Sequence, residues 1–359
     1  MAVKAGRLGS GRGAPDGPPK RKSDRFLVTI GTFDGVHLGH RQLIAWVALQ
    51  ARALGMRTRV VFFVEPPRFH FQPDLSVPLL TTSRDRRAII KSLGIERVEV
   101  LRFGSRWAEM SSARFFDEYI VRRWKAGGLL VGKDFVFGKG RTGDLKYLKE
   151  ACRPRGMRLG VLPLVRVEGR KISSSRIRSL LLAGKVERAA LMLGRPHSVS
   201  GSVVRGRGLG GRIGVPTANV RTPAEALAPP GVFLVRVSGE GIGAGLDAFP
   251  EGARHGAPAG VDAAPDADAF PEGARHGAPA GVDAVCNVGT RPTVRVAGRP
   301  KRTVEVHIPG FSGELYGKTL RVEFLRRLRG ERSFPSLEAL RRAIRRDIRR
   351  CQASTFPTY

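Results

Sequence analysis

The pattern of apolar residues changes near Arg195, and this change constrains the fold more than any other feature of the sequence. Before Arg195, short apolar runs alternate with segments whose apolar residues recur every three or four positions. Such alternation of strands and amphipathic helices predicts a parallel sheet flanked by helices. After Arg195, short β-branched runs follow one another with no long helix between them, which predicts an antiparallel sheet or a small barrel. The chain of 359 residues is therefore predicted to form two domains.

The individual strands and helices follow from the same patterns. In the first half, strands are predicted at residues 26–31, 59–64, 98–103, 128–132 and 159–165. Helices are predicted between and after them: one that ends at Gly55, and others at 84–93, 111–125, 144–152 and around 176–193. In the second half, strands are predicted at 198–204, 231–239, 284–289, 303–308 and 318–328. A helix capped by Ser336 follows them, with an apolar stripe of Leu337, Leu340, Ile344 and Ile348.

Two segments lack the apolar periodicity of a folded element. Residues 1–25 contain five Gly, three Pro and seven Lys or Arg, and they are predicted to form a disordered basic arm. The 17 residues at 247–263 recur unchanged at 268–284. A solenoid needs about three units or more, so this duplication predicts a surface loop at about 245–284. The folded domains are therefore expected at 26–194 and 195–352.

Charge and cysteine content narrow the partners and the surroundings of the chain. Lys and Arg number 63 against 31 Asp and Glu, and the net charge of +32 attracts polyanions such as nucleic acid, anionic membranes or nucleotide phosphates. No run of about 18 apolar residues occurs, which argues against a transmembrane helix. The three cysteines lie far apart without metal-site or disulfide spacing, which favours the reducing cytoplasm. The sequence carries no signal for an oligomeric state.

A first candidate phosphate site follows the first predicted strand. The stretch TFDGVHLGH brings His37 and His40 to the start of a helix, where free N–H groups and a partial positive charge hold phosphate. Gly39 lets the backbone approach closely, and the i,i+3 spacing places both imidazoles on one side. Two histidines there could neutralise charge that develops on nucleotide phosphates in a transition state. Taken alone, the stretch fits two ordinary surface histidines equally well.

A second stretch supports the phosphate interpretation. KISSSRIRSLL at 171–181 places three serine hydroxyls, Arg176 and Arg178 at the start of another predicted helix. Hydroxyl and guanidinium groups together make a phosphate clamp. An HxGH motif followed about 135 residues later by such a turn is a specific combination.

This pair of motifs resembles the nucleotidylyl-transferase superfamily. GKDFVFGKGRTGD at 132–144 narrows the resemblance to the adenylyltransferase half of the bacterial bifunctional riboflavin kinase/FAD synthetases. The resemblance implies a Rossmann-like α/β domain with a parallel sheet, in which His37 and His40 are catalytic. The residues it implies for ATP binding are Gly31, Phe33, Gly39, Ser173, Ser174, Ser175, Arg176 and Arg178. Those it implies near the flavin are Asp134, Phe135 and Arg141.

The sequence departs from this family pattern at two places. Ser175 stands where the family usually has Thr, and this keeps the hydroxyl. VEPPRF at 64–69 stands where the family usually has a PHP-like turn, so a histidine is missing. The second departure leaves open an alternative in which the kinase is kept and the adenylyltransferase is impaired.

A second candidate phosphate site begins the other half of the chain, at RGRGLGGRIGVPTANV. Its G-x-G-x-x-G pattern is a weak dinucleotide signal, because the segment that follows reads as a strand rather than a helix. A glycine-rich turn can still wrap phosphates with backbone N–H groups, although an ordinary loop is the alternative. The glycines of the pattern are Gly206, Gly208 and Gly211.

Oxygen ligands and a carboxylate accompany this glycine-rich turn. Thr217 and Asn219 of PTAN offer a hydroxyl and an amide as ligands for Mg²⁺. About 85 residues later, VEVH places Glu305 on a predicted strand, where a carboxylate can accept a proton from an attacking alcohol. A glutamate on a strand is more often simply solvent-facing.

GRIGVPTAN at 211–219, NVGTRPT at 287–293 and VEVH…LYGK together resemble the flavokinase half of the same family. The resemblance implies a mainly antiparallel β-barrel with a C-terminal helix. It implies that Gly206, Gly208, Gly211 and Arg212 bind ATP, that Thr217 and Asn219 hold its magnesium, and that Glu305 is the general base.

Both resemblances together cover about residues 26–350 without the insert, and they imply two successive reactions. ATP would phosphorylate riboflavin to FMN, and a second ATP would adenylylate FMN to FAD with release of pyrophosphate. The expected partners are riboflavin, FMN and ATP with Mg²⁺, and neither nucleic acid nor a membrane is required. An alternative is an RNA-associated protein on the same fold, since eleven arginines lie between Arg321 and Arg350. No array of aromatic residues accompanies them to stack bases, which disfavours this alternative.

Overall fold

The structure is a computed structural model, and it describes residues 23–72, 77–163, 165–167, 169–206, 209–212, 214–242, 281–296 and 299–352. Most of the predicted basic arm, Gly208 and residues 243–280 of the duplicated insert lie outside the described residues.

The N-terminal half contains an open sheet of parallel strands in the order β3-β2-β1-β4-β5. The strands are β1 (Phe26–Gly31), β2 (Arg57–Phe63), β3 (Arg97–Leu101), β4 (Ala126–Gly132) and β5 (Arg158–Leu162). The prediction of a parallel α/β sheet is confirmed. The fifth strand ends before Pro163 rather than at residue 165, because proline has no N–H to donate to the neighbouring strand.

Helices connect these strands and cover the sheet. They are α1 (Leu38–Ala53), α2 (Arg68–Phe71), α3 (Ser83–Ser92), α4 (Ser105–Ala108), α5 (Ser112–Arg114), α6 (Leu145–Cys152), α7 (Ser174–Leu182) and α8 (Val186–Leu193). Shorter elements are the 3₁₀ turns Lys139–Arg141 and Arg153–Arg155 and a hairpin of β6 (Arg166–Val167) and β7 (Arg170–Lys171).

Two helix predictions need correction. The helix predicted at 111–125 continues from α5 as a π-helix, Phe115–Arg123, and the N–H of Trp124 donates to the carbonyl of Tyr119 five residues earlier. The single helix predicted around 176–193 is in fact two helices, α7 and α8. Gly184 lies between them with a φ of 71°, a conformation that interrupts the helix and that glycine adopts readily.

The C-terminal half is a closed barrel with strand order β10-β11-β12-β9-β8-β13. Its strands are β8 (His197–Val204), β9 (Ala218–Arg221), β10 (Gly231–Gly239), β11 (Val282–Val296), β12 (Arg299–His307) and β13 (Thr319–Arg329). A short helix, α9 (Leu209–Arg212), and a long one, α10 (Leu337–Gln352), accompany it. All strand pairs are antiparallel, which confirms the predicted barrel.

The duplicated insert ends earlier than predicted. β11 begins at Val282, inside the second copy, where the sequence predicts a loop up to about residue 284. Ala284 pairs with Val235 of β10 and is fully buried in the barrel. The last residues of the copy therefore form a strand because their alternate side chains pack into the core.

The C-terminal helix begins as predicted, and Ile348 of the predicted stripe packs against residues of the barrel, but two other positions differ from the prediction. The Ser336 hydroxyl accepts a hydrogen bond from the Ala339 N–H at 3.1 Å, which confirms the N-cap. Leu337, expected in the apolar stripe, is 57% exposed, while Asp347 is buried. Asp347 can lie on the buried face because its carboxylate pairs with Arg329 of β13 at 3.0 Å.

The two halves are joined by backbone hydrogen bonds. Leu79, which precedes α3, forms a parallel bridge with Ala226 of the barrel. Its N–H donates to the carbonyl of Glu225 at 2.6 Å, and its own carbonyl accepts from Leu227 at 2.9 Å. Residues of α7 and α8 share one continuous apolar core with the barrel strands. The barrel is therefore packed directly behind the segment that precedes α3.

Two candidate active sites

The first site lies where the order of the parallel sheet reverses. β1 continues through β2 to one edge of the sheet, and the chain then returns to place β4 on the other side of β1. Ligands of open α/β sheets bind at this reversal, outside the carboxyl ends of the strands. The histidine motif follows β1, and Asp134 and Phe135 follow β4. The topology thus brings two of the predicted groups of residues to one edge.

His37 and His40 form a stacked pair at the start of α1. Their rings are 3.6 Å apart and inclined by 14°. His37 caps the helix: its Nδ1 accepts the N–H of His40 at 3.3 Å, so the proton of the neutral imidazole is on Nε2. Phe33 is a core residue that packs edge-on against His40, with ring centroids 5.2 Å apart. Its side chain supports the pair from the interior.

Both imidazoles are neutral at physiological pH. Burial lowers the pKa of His37 to about 4, and the positive charge of Arg195 adds to this effect. Burial lowers the pKa of His40 well below its ordinary value, and the neighbouring His37 and Arg86 act in the same direction. The Nδ1 atom of His40 is buried and has no hydrogen-bond partner among the described residues. The pair therefore offers neutral ring nitrogens at the start of a helix.

The turn before the histidines is held by a buried ion-pair network. One carboxylate oxygen of Asp34 accepts the N–H groups of Leu80 and Thr81 at 2.9 and 3.2 Å. The same carboxylate pairs with Arg178 at 2.8 Å and with Arg86 at 3.5 Å. Arg86 also donates to the carbonyl of Thr32, just after β1, and to that of Phe63 at the end of β2, so the network ties both strand ends to α7. Sequence reasoning missed Asp34 and Arg86, because the partners named above are 23 to 144 residues away along the chain.

The serine-rich turn is the N-terminus of α7 and approaches the same site. Ser173 caps the helix by accepting the Arg176 N–H at 3.3 Å, and the Ser174 hydroxyl donates to the Asp34 carbonyl at 2.8 Å. The Nη1 atom of Arg176 is buried with no partner among the described residues. The guanidinium of Arg178, by contrast, is engaged by Asp34 and the Pro78 carbonyl.

Two cavities flank this edge of the sheet. The first, of about 290 Å³, has strand end, turn and helix residues in its wall: Thr32, Asp34, Pro66, Pro67, Arg68, Ser174, Ser175 and Arg178. The VEPPRF departure therefore contributes directly to a cavity, with Arg68 as its charged group. The second cavity, of about 580 Å³, is lined by all three residues that were predicted to lie near the flavin: Asp134, Phe135 and Arg141. Asp134 also contacts Lys171 of β7, just before the serine-rich turn.

The second site is a row of polar side chains on the outside of the barrel. In the register of the strands, Glu305 of β12 lies opposite Asn219 of β9 on one side and Asn287 of β11 on the other. Val304 and Val306 are buried in the barrel interior, so Glu305 between them points outward. Asn287 was not singled out from the sequence, although it begins the NVGTRPT motif. The pairing register is what identifies it.

The glycine-rich turn packs against this row. A β-carbon on Gly206 would collide with the Asn219 amide, and one on Gly210 would lie 3.0 Å from the Thr217 hydroxyl. The sequence pattern had selected Gly206, Gly208 and Gly211. Gly210 is the further glycine that the fold requires, while Gly211 has open space around it. Arg212 ends α9. The imidazole of His307 bonds the Pro216 carbonyl at 2.8 Å and links the PTAN loop to β12.

Comparison with known families agrees with this division of the chain. Residues 20–176 match the FAD synthetase family, and residues 193–355 match the riboflavin kinase family. A bifunctional riboflavin kinase/FMN adenylyltransferase of Pseudomonas fluorescens is 33% identical over 92% of this chain and 94% of its own length. The chain belongs to the bifunctional riboflavin kinase/FMN adenylyltransferase family. It phosphorylates riboflavin to FMN and adenylylates FMN to FAD, and both activities predicted from the sequence are confirmed.

Other relatives extend over both halves of this enzyme. A bifunctional riboflavin kinase/FMN adenylyltransferase of Escherichia coli strain K12 is 31% identical over 89% of this chain and 90% of its own length. A crystal structure of a macrolide-efflux protein from Streptococcus pneumoniae has a TM-score of 0.74 at 26% identity, covering 94% of this chain and 97% of that chain. Among the described residues of the enzyme, no helix has the length and apolar character needed to cross a bilayer.

Proposed function

We propose that His37, His40 and the N-terminal turn of α7 bind the phosphates of ATP during adenylyl transfer. The observation that carries this proposal is a pair of buried polar atoms, His40 Nδ1 and Arg176 Nη1, that lack partners among the described residues and lie at the predicted phosphate site. Buried polar atoms normally have hydrogen-bond partners, so we infer that a bound ligand supplies the partners of these two atoms. Ser173, Ser174 and Ser175 add hydroxyls at the helix N-terminus, and Gly31 and Gly39 let the nucleotide approach the backbone.

In this reaction an oxygen of the FMN phosphate forms a bond to the α-phosphorus of ATP while the bond to the bridging oxygen of the pyrophosphate breaks. A phosphate is already a nucleophile near neutral pH, so the site needs charge stabilisation rather than a strong base. Neutral imidazoles supply hydrogen bonds to the leaving pyrophosphate, and Arg176 supplies positive charge. The flavin ring would occupy the second cavity against Phe135, with Asp134 and Arg141 in the same wall. Arg178 serves this site by holding Asp34 rather than by meeting phosphate.

We propose that Glu305 is the general base of the kinase reaction. Its place between Asn219 and Asn287 in the strand register supports this role, because the row faces outward beside the glycine-rich turn. Glu305 would take the proton of the riboflavin 5′-hydroxyl as that oxygen attacks the γ-phosphorus of ATP. Gly206, Gly208, Gly211 and Arg212 are the residues predicted to bind the phosphates of the ATP that the kinase uses.

The residues near the kinase turn fit Mg²⁺ that arrives with ATP. Among the described residues, no group of three or more His, Cys, Asp or Glu could hold a metal ion by itself. Mg²⁺ in phosphoryl-transfer sites is held by one or two protein oxygens together with the substrate phosphates, and it neutralises their charge. The Thr217 hydroxyl and the Asn219 amide are oxygen donors of this kind.

We further propose that the basic arm covers residues 1–25, the adenylyltransferase domain 26–194 and the kinase domain 195–352. Gly194 ends α8 in a left-handed conformation and β8 begins three residues later, which supports this boundary. Both reactions use small molecules, so neither nucleic acid nor a membrane is needed. All three cysteines are buried free thiols, which supports a reducing cytoplasm.

Two variants test the assignment of residues to reactions. Glu305→Gln should lower FMN formation from riboflavin by about 100-fold or more and leave conversion of FMN to FAD unchanged. His40→Ala should do the reverse, with a loss of about 100-fold in adenylyl transfer. Each half-reaction is measured by chromatography of the flavins, with riboflavin or FMN as the supplied substrate. A variant that loses both reactions, or neither, would show that its residue is assigned wrongly.

A further inference from the structure

The turn between β1 and α1 has a backbone conformation that residues other than glycine rarely adopt. Phe33 and Val36 have φ values of 47° and 39°, and Gly35 between them has 83°. Non-glycine residues with positive φ persist only where surrounding contacts hold them. This turn delivers His37 to the cap of α1, so whatever holds the turn also sets the position of the histidine pair.

Arg195 holds the far side of this turn. It lies between α8 and β8, on the segment that leads into the barrel. Its guanidinium donates to the carbonyl of Gly35 at 2.7 Å and to that of Val36 at 3.2 Å. A third hydrogen bond, to the carbonyl of Leu193 at 3.3 Å, anchors the side chain to the end of α8. A planar guanidinium can reach two neighbouring carbonyls in this way, whereas an ammonium group cannot reproduce the fork.

The other side of the turn is held from within the first domain. Arg86 donates to the Thr32 carbonyl at 2.7 Å, and the N–H of Gly35 donates to the Thr81 hydroxyl at 3.0 Å. On the barrel side, the position of the Gly35 and Val36 carbonyls, just before His37, therefore depends on Arg195. Its positive charge also faces His37 and adds to the lowering of the pKa of that imidazole.

We propose that Arg195 is a positioning residue for adenylyl transfer: from the entrance of the kinase domain it holds the Gly35–Val36 backbone so that His37 and His40 meet the phosphates of ATP. The proposal rests on the phosphate-binding role proposed above for the two histidines. It makes adenylyl transfer depend on a side chain that belongs to the second half of the chain.

The test compares Arg195→Met with Arg188→Met, a matched change of an exposed arginine on α8. Arg195→Met should lower kcat for conversion of FMN to FAD by about 100-fold, because a small misplacement of catalytic groups has effects of this size. KM for ATP should change far less, since the histidines act in the transition state. Riboflavin kinase activity should equal that of Arg188→Met and reports that the chain is folded.

Two further measurements separate positioning from a general structural role. Adding Arg195→Met to the variant His37→Ala/His40→Ala should cause no further loss, because Arg195 acts through these two histidines. Methylguanidine in the buffer should restore part of the adenylyl transfer of Arg195→Ala. If Arg195→Met also loses kinase activity, the milder variant Arg195→Lys is measured instead. It should keep its kinase activity, and its kcat for adenylyl transfer should fall about tenfold.

The outcomes distinguish the proposals. The positioning role would be overturned by full adenylyl transfer in Arg195→Met, by a change in KM alone, or by a further loss when Arg195→Met is added to His37→Ala/His40→Ala. Full adenylyl transfer in His40→Ala would instead overturn the phosphate site on which that role rests.

Discussion

The two proposed active sites of this enzyme are built in opposite ways. In the adenylyltransferase site, charged residues form part of the interior: the side chains of Arg86, Asp34 and Arg178 are 0%, 2% and 5% exposed. In the kinase site, Glu305 and its neighbours stand on the outer face of a barrel whose interior is filled by apolar side chains. The first site is therefore part of what stabilises its domain, while the second can be altered with little effect on the fold.

Removal of one partner from the buried ion-pair network should have the largest effect on the free energy of unfolding, and it tests this comparison. Arg178→Met leaves the Asp34 carboxylate in the interior without its nearest cation, and it should lower the free energy of unfolding by about 3–5 kcal/mol. Arg176→Met, two residues away on α7, is the matched control and should cost less than about 1 kcal/mol. Urea unfolding of both variants and of Glu305→Gln measures this. Equal stabilities for Arg178→Met and Glu305→Gln would contradict the comparison.

Acid should lower the free energy of unfolding through the buried histidines. Burial lowers the pKa of His197, at the start of the barrel, to about 4, whereas an unfolded histidine has a pKa of about 6.5. Between these values the unfolded chain binds a proton that the folded chain does not, so the free energy of unfolding falls as the pH drops below 6.5. From pH 7 to pH 5 the contribution of His197 is about 2 kcal/mol. Urea unfolding at both pH values should show a smaller change for His197→Phe, and an unchanged difference would refute this origin.

The polar row of the kinase site predicts a smaller, local effect. Asn287→Ala and Asn219→Ala should each lower the kinase rate by about tenfold and raise the Mg²⁺ concentration that gives half the maximal rate. Thermal unfolding should be nearly unchanged, because both side chains lie outside the apolar core. A kinase rate that depends on Asn219 but not on Asn287 would contradict the claim that the residues of the row act together in one site.

The smallest effect concerns the cavity formed by the VEPPRF segment. Arg68→Ala removes its charged wall and should raise KM for ATP in adenylyl transfer about fivefold, equivalent to about 1 kcal/mol. KM for ATP in the kinase reaction should not change. Arg87→Ala, an exposed arginine on α3, is the control and should leave both values unaltered. An equal response of Arg68→Ala and Arg87→Ala would mean that this cavity does not receive the nucleotide.

Local patterns predicted the parallel sheet, the antiparallel barrel, the Ser336 cap and the grouping of His37 with His40. These features depend on neighbours in the sequence. For Arg178, the serine-rich turn predicts a phosphate ligand, and the structure adds an ion pair with Asp34, 144 residues away, that no local pattern indicates. Asn287 likewise becomes part of a site only through the register of β11 against β12. Contacts between distant segments were what the sequence patterns could not supply.

The central claim is that two separate sites on one chain perform the two reactions. The most direct test supplies riboflavin, ATP and Mg²⁺ to Glu305→Gln, to His40→Ala and to an equal mixture of both, and follows the flavins over time by chromatography. We expect little product from the first variant, FMN without FAD from the second, and FMN followed by FAD from the mixture. If both variants lost both half-reactions and the mixture made no FAD, the two reactions would share one site and the account would be contradicted.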